Sequence, residues 1–469
     1  MKAILFATIL TTGFNLFAAS SSWPQFRGPN CSGVAEKEKP PVQFGAETNL
    51  LWKTEAPSGL SSPCIAGNRI FLTGFESGTL FALCFDRRDG KELWRKEAPP
   101  GKIQEVHKVS SPAVATPATD GRLVYVYFVP FGLVAYDFQG REQWRKAVPS
   151  GFVMNGSGTS PAIVGDAVVL NCDQDEGGSF LLAVEARTGK PRWQIPRAGV
   201  LSSSFTTPIA WKHGARQEVV VSGSLRVTGY DLQDGQERWT ARVLTSVSVA
   251  ATPVLGEEQL YVMSQRVPQN AMGTFASFAE KNDKNNDGKI SADEFPADYG
   301  SSAFRGFDTD KDGFITEKDW AALNSLFAKG DSGLVALRAP GDGDVTGTHV
   351  VWKQTKGVAS IASPLFYQGR IYAVQDGGKL TCWNAKTGQI LYEQERLGAE
   401  GEYYASPIAA NGHVYLTSAR GTVTAVRAGD SLEVKARNEL GESVMSTPAI
   451  ADNKLYVRSA KHLWAFGRK

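Results

Sequence analysis

The sequence predicts an all-β fold: an eight-bladed β-propeller of four-stranded antiparallel blades, closed by an N-terminal strand and carrying a small α-helical insertion in blade 5. Three observations predict it. First, a small hydroxyl residue followed by proline recurs at Ser62-Pro63, Ser111-Pro112, Ser160-Pro161, Thr207-Pro208, Thr252-Pro253, Ser363-Pro364, Ser406-Pro407 and Thr447-Pro448, which is the periodicity of a repeat protein. Second, each marker opens a set of short apolar runs. From Ser62 to Trp94 these are Ile70-Phe71-Leu72, Leu80-Phe81-Ala82-Leu83 and Leu93-Trp94, divided by Gly-Asn, Glu-Ser-Gly and Arg-Asp-Gly, residues that supply turn conformations between antiparallel strands. Third, the chain ends are complementary. Asn49-Leu50-Leu51-Trp52-Lys53 resembles the last strand of a repeat, while the final repeat stops after His462-Leu463-Trp464-Ala465-Phe466 with its fourth strand missing. Pairing the two closes a ring and leaves few exposed sheet edges.

Taken in order, the chain begins with Lys2, an apolar run from Ala3 to Leu10, and the small residues Ala18-Ala19-Ser20. Residues 1–20 are therefore expected to be a secretory signal, cut after Ala19 or Ser20. No other stretch approaches the roughly 18 apolar residues that cross a bilayer. The mature chain is expected to be exported, periplasmic or extracellular, with no transmembrane segment. Residues 21–48 form an N-terminal extension that opens on Trp23-Pro24-Gln25-Phe26-Arg27-Gly28-Pro29. Residues 49–266 carry the closing strand, blades 1 to 4 and the first part of blade 5, and residues 333–469 carry the rest of the propeller.

The net charge of the 469 residues is +2, which gives no electrostatic case for nucleic acid or a membrane surface. Cys31, Cys64, Cys84, Cys172 and Cys382 are odd in number and irregularly spaced, and most lie within apolar strand runs. They read as small buried hydrophobes and not as a disulfide framework or a metal site.

A glycine stands four residues before an aromatic at Gly90 and Trp94, Gly140 and Trp144, Gly189 and Trp193, Gly235 and Trp239, and Gly388 and Tyr392. With these turns the sequence resembles the pyrroloquinoline-quinone-type propeller repeat, shared by quinoprotein alcohol dehydrogenases and the propeller lipoprotein of outer-membrane protein assembly. The resemblance covers nearly all of the mature chain outside the insertion. It implies that Trp52, Trp94, Trp144, Trp193, Trp239 and Trp352 dock neighbouring blades together, burying a large ring with a polar edge at each seam.

One interval between proline markers, Pro253 to Pro364, is far longer than the others. Its excess, placed at residues 267–332, holds the sharpest chemical motif in the chain. Asp283, Asn285, Asp287, Lys289, Ser291 and Glu294 stand at the ligand positions of a twelve-residue EF-hand calcium loop, with Gly288 at its sharp bend. Asp308, Asp310, Asp312, Phe314, Thr316 and Asp319 repeat the pattern, with Gly313 at the bend. Lys289 and Phe314 would contribute backbone carbonyls. Asp319 is one methylene shorter than the usual glutamate, so the second loop is expected to hold Ca2+ more weakly. Ile290 and Ile315 should join the loops in a short strand pair. Phe275, Phe278 and Ala279 before the first loop, and Trp320, Leu323, Leu326 and Phe327 after the second, are at helical spacing. The insertion has 7 Lys and Arg against 12 Asp and Glu, and such clustered acids repel one another until a cation is present.

The insertion falls between strands two and three of the fifth blade. By the family resemblance, that connection opens on the face where each repeat's first strand is entered, so the calcium module should overhang one mouth of the central channel. Segments reaching that mouth carry His107-Lys108, Phe152, Met154 and Asn155, Ser202-Ser203-Ser204-Phe205, Ser246-Val247-Ser248 and Glu402-Tyr403-Tyr404. Convergent polar and aromatic groups of this kind can hold a ligand, although small residues are also needed where strands crowd an axis.

Catalytic residues are not apparent. The resemblance implies a vicinal cysteine pair over the quinone in alcohol-oxidising members, and no two cysteines here are adjacent. There is no Cys-x-x-Cys-His for haem, no Gly-x-Ser-x-Gly and no His-Glu-x-x-His. Pyrroloquinoline quinone is thus a cofactor that the resemblance admits but the site residues do not support. The favoured function is an exported calcium-binding scaffold, non-catalytic, for a protein or glycan partner. The alternative is a quinone-dependent oxidoreductase with an atypical site.

Overall fold

The computed structural model describes residues 21–468 except 149–150, 152, 154, 176–177, 199, 201, 266–272, 297–303, 305–306, 330–332 and 339–340. The expected secretory signal at residues 1–20, together with Phe152 and Met154, lies outside the described residues, as do the side chains of Leu326 and Phe327.

Eight sheets form the ring, each with four antiparallel strands; in seven these lie in sequence order, and the fourth blade carries a short fifth strand in parallel. The first runs through Cys64–Ala66, Arg69–Glu76, Thr79–Asp86 and Glu92–Glu97. The outer strands alternate between more and less exposed residues, as in Glu92–Glu97, and the middle two of each blade are buried through much of their length because neighbouring blades cover both faces. In the eighth blade, Leu50–Glu55 supplies the outer strand beside His462–Phe466, with Trp52 opposite Ala465 and Thr54 opposite Leu463. The ends of the chain thus close the ring as the half-repeats predict.

An ionic clasp reinforces this closure. Lys53 Nζ, His462 Nδ1 and Ser459 Oγ approach the Glu442 carboxylate at 3.0, 2.6 and 2.6 Å. Burial alone would raise the Glu442 pKa, but these partners outweigh it and lower it from 4.5 to about 2. A depressed carboxylate contributes stability that is present above its unfolded pKa and lost as pH falls through the folded one. Between about pH 4.5 and pH 2, the wild type should therefore lose more stability than Glu442→Gln, as read by urea unfolding across that range.

The repeated hydroxyl-proline pair has a specific role at the hub. The backbone N–H of Ser62 donates to Thr116 Oγ1 at 2.9 Å, Thr116 N–H to Ser160 Oγ at 2.9 Å, and Ser160 N–H to Thr207 Oγ1 at 3.3 Å. The chain of bonds continues through Thr252, Ser363, Ser406 and Thr447 at 3.0 to 3.1 Å, and Thr447 N–H returns to Ser62 Oγ at 3.1 Å. Every blade is thereby tied to the next around a closed circle. The following proline has no N–H, so no further backbone donor is left unsatisfied beside the axis. One sequence expectation is corrected: the marker of blade 2 is Thr116-Pro117, not Ser111-Pro112. Ser111 lies five residues earlier in the entering connector, where its hydroxyl accepts from Ala113 N–H at 3.1 Å.

The tryptophans dock neighbouring blades, but the glycine each one meets belongs to the adjacent repeat. A Cβ on Gly90 would lie 2.6 Å from the Trp52 ring, and Gly140, Gly189, Gly235 and Gly388 stand in the same relation to Trp94, Trp144, Trp193 and Trp352. The ring N–H of each of these tryptophans donates across the seam, as in Trp52 Nε1 to Arg87 O at 3.1 Å and Trp144 Nε1 to Ala186 O at 2.9 Å. Trp239 departs from the pattern. Its Nε1 donates at 2.8 Å to Glu218 within its own blade, and the segment Gly343–Asp344 of blade 5 pairs in parallel with its strand.

The N-terminal extension is a plug. It satisfies the free edges of the innermost strands: Trp23 exchanges backbone bonds with Ile65, Pro24 O accepts from Thr119, and Gln25 Oε1 accepts from Ile163. Asn30 bonds Ala210 in both directions, Arg27 Nη2 reaches Pro364 O at 2.7 Å, and Gly33 and Ala35 bracket Ala409. Gly28, at φ 70°, lies so close beneath the Trp23 indole that a Cβ would sit 2.7 Å from the ring. This segment thus sews together first strands from most of the ring and blocks the channel from the side opposite the entering connectors.

The five cysteines are all free and buried.

Candidate metal centre and channel mouth

The insertion leaves blade 5 after Gln259–Met263 and returns at Leu334–Arg338, two strands that pair with each other. At its root, Thr245 in the connector entering blade 5 bonds Ser264 Oγ and Gln265 O, and Gly333 sits against Val358 in the connector entering blade 6. The insertion therefore emerges on the connector face.

Two helices are described within it, α1 (Phe275–Asn282) and α2 (Glu317–Lys329). Thr274 caps the first by accepting Ser277 N–H at its side chain. The short strands at the ends of the two loops pair with Ile290 opposite Ile315. Both isoleucines are buried, in a cluster with Phe295, Phe304 and Trp320 against which Phe275, Phe278 and Ala279 pack. The predicted pairing and helical spacing are thus present, and the loops form one unit.

In the first loop, Asp283 accepts from Asp287 and Gly288 N–H, and Asn285 Oδ1 and Asp287 Oδ1 each accept a backbone N–H from within the loop. Glu294 accepts from Lys284, Asn285 and Ser291 N–H and from Ser291 Oγ, bonds that hold its pKa below the usual range. In the second loop Asp308 plays the part of Asp283, accepting from Asp312 and Gly313. The carboxylates of Asp308, Asp310 and Asp312 all lie within 4.8 Å of one another. Asp319 is fully buried. Burial would raise its pKa, but two bonds each from Thr309 and Thr316 outweigh it and hold it at about 2.

Both loops thus carry the oxygen-rich donor set that suits a hard divalent cation. Lys289 and Phe314 are at the positions that offer carbonyls. Ser291 and Thr316 hold the twelfth-position carboxylate in place. The loops differ at Lys318, whose Nζ lies 2.8 Å from Asp310 Oδ2. This ammonium competes with an entering cation for the Asp310 carboxylate, a feature that sequence reading missed and that adds to the shorter reach of Asp319.

At the axis, a cavity of about 400 Å3 opens on the connector face. Its floor is Phe26 of the plug, and ring hydroxyls line its wall. His107, Asn155, Phe205 and Tyr404 from the expected mouth segments reach it. The Ser202-Ser203 segment instead bonds Asp175, Ser246 and Ser248 turn into backbone contacts, and Tyr403 is buried. The lining includes no Lys, Arg, Asp or Glu among the described residues. Pyrroloquinoline quinone, a polycarboxylate, does not fit such a wall.

Eight four-stranded blades, a hydroxyl circle at the hub and tryptophan seams define a propeller of the pyrroloquinoline-quinone-like repeat class, here with an EF-hand insertion. The chain belongs to the family described as outer membrane protein assembly factor BamB, whose model matches residues 82–292 and 330–434. An EF-hand model matches residues 302–323, the second loop. The factor BamB of Yersinia pestis is 22% identical over 348 residues, covering 71% of this chain and 79% of that protein. The corresponding protein of Burkholderia pseudomallei strain K96243 is 27% identical over 226 residues, 45% of this chain and 53% of that one. Among solved structures, BamB from Moraxella catarrhalis aligns with a TM-score of 0.53 at 13% identity, over 89% of this chain and 98% of that chain. The quinohemoprotein alcohol dehydrogenase of Comamonas testosteroni aligns with a TM-score of 0.55 at 11% identity, over 96% and 82%. Identities this low between structures establish the fold alone. Among the described residues, no helix is long and apolar enough to cross a membrane.

Proposed function

We propose that the protein is an exported, calcium-binding assembly scaffold that engages a protein partner on its connector face without catalysing a reaction. Membership of a family described as an outer membrane protein assembly factor is the observation that carries this reading. The lining of the axial cavity supports it over a quinone-dependent oxidoreductase, since the several carboxylates of that cofactor would find no Lys or Arg and only the His107 imidazole in the described wall. The insertion, taken as residues 267–332, is the element that cation binding would order, through Asp283, Asn285, Asp287, Lys289, Ser291 and Glu294 in one loop and Asp308, Asp310, Asp312, Phe314, Thr316 and Asp319 in the other. Its root on the connector face couples that ordering to the surface where a partner would dock.

Two experiments test the proposal. Calcium titration calorimetry on the whole mature protein should resolve two sites, the tighter abolished by Glu294→Gln; no heat on addition of calcium would contradict it. Affinity capture from the exported fraction should retain a specific protein in calcium and release it in chelator. Equal capture in both conditions would break the link between the metal and the partner.

A further inference from the structure

The axial cavity has features that the scaffold reading does not use. Six members of the hydroxyl circle face it: Ser62, Thr116, Ser160, Ser363, Ser406 and Thr447. Each of these oxygens already accepts a backbone N–H from the preceding blade. Among the described residues, none of their hydroxyl protons has a protein acceptor. A hydroxyl can donate as well as accept, so the wall presents a ring of O–H donors converging on one space. The rim is apolar. Val109 and Ile361, which are 43% and 45% exposed, are two of the four large hydrophobics that the described surface leaves open, and both border this cavity together with Phe205 and Met445. Phe26 of the plug forms the floor.

From these observations we infer that the cavity is a binding site for a small uncharged molecule with a largely apolar body and at least one carbonyl-type acceptor. The size, about 400 Å3, is that of a site for one small organic molecule. The apolar rim and the Phe26 floor favour hydrocarbon. The convergent hydroxyls favour an acceptor, and in the described wall a cation would meet no opposite charge and an anion only the His107 imidazole. Methionine at the rim accommodates varied shapes. This inference stands independently of the calcium-dependent scaffold reading, because it concerns the hub and requires neither metal nor partner.

The test uses Nile red, a neutral dye with one carbonyl, on the full mature chain. It should saturate at one dye per chain with blue-shifted emission, and the carbonyl stretch of the bound dye should fall in wavenumber as hydroxyls donate to it. The sulfonated dye 1-anilinonaphthalene-8-sulfonate should bind at least ten-fold more weakly. Ile361→Lys, a substitution at an exposed position that should leave the circular dichroism spectrum intact, should weaken Nile red at least ten-fold. Binding without a one-to-one end point, equal affinity for the sulfonate, or an unchanged affinity in a folded Ile361→Lys protein would each overturn the inference. Val109→Lys provides a second rim variant should the first fail to fold, with the same outcomes expected.

Discussion

Replacing Arg197 by methionine is expected to cost about 3–5 kcal/mol of stability, the range for breaking a buried ion pair from one side. The Arg197 and Asp173 side chains are both fully inaccessible, with Nε 2.7 Å from Oδ1 and Nη2 3.2 Å from Oδ2. Nη1 donates to the Tyr230 hydroxyl of the next blade at 2.9 Å. Burial alone would lower the guanidinium pKa, but Asp173 and Tyr230 outweigh it and raise it. Removing the cation leaves the Asp173 carboxylate buried without a counter-charge. The double variant Arg197→Met, Asp173→Leu should recover much of the loss, since it removes both charges at once. Urea unfolding of the four proteins in a double-mutant cycle measures this; a single variant within 1 kcal/mol of wild type, a span that about marks an exposed pair, would show that the pair is solvated.

Trp52→Ala should be comparably damaging, by about 3–5 kcal/mol, and its consequence is topological as well. Trp52 belongs to the strand that completes blade 8, yet its ring lies over Gly90 of blade 1 and its Nε1 bonds Arg87 O. Truncating it empties the seam between the blade that closes the ring and the blade that begins it. The corresponding change at Trp352 opens an ordinary seam whose two blades are joined directly by the chain. Thermal unfolding should therefore drop further for Trp52→Ala than for Trp352→Ala, accompanied by earlier proteolysis of the N-terminal segment. Equal losses would show that closure adds nothing beyond the seam itself.

Much of the fold was legible because the hub and seam chemistry recurs in fixed residue types. Ser or Thr before Pro marks the hydrogen-bonded circle, and Trp with its distant Gly marks five of the eight seams. The blade 2 marker was misread because Ser111-Pro112 and Thr116-Pro117 have the same local chemistry, and only the circle tells which hydroxyl receives the neighbouring N–H. The glycines were legible as turns four residues before an aromatic, but that spacing carries no information about the ring of the adjacent blade that covers them. Trp23 to Ala35 has no periodicity, and its partners range from Ile65 to Ala409, so its role as a plug could not be inferred locally. In the insertion the ligand pattern and the pairing of Ile290 with Ile315 were evident, whereas the Lys318 contact to Asp310 depends on how α2 turns back over its loop.

Hydrogen exchange on the intact mature protein tests the ring closure most directly. The amides of Leu50–Glu55 that bond across to His462–Phe466 should exchange as slowly as the equivalent amides in the fourth strands of the other blades, because the two segments share one ladder. Rapid exchange of Leu50–Glu55 while His462–Phe466 stays protected would contradict a closed eight-bladed ring.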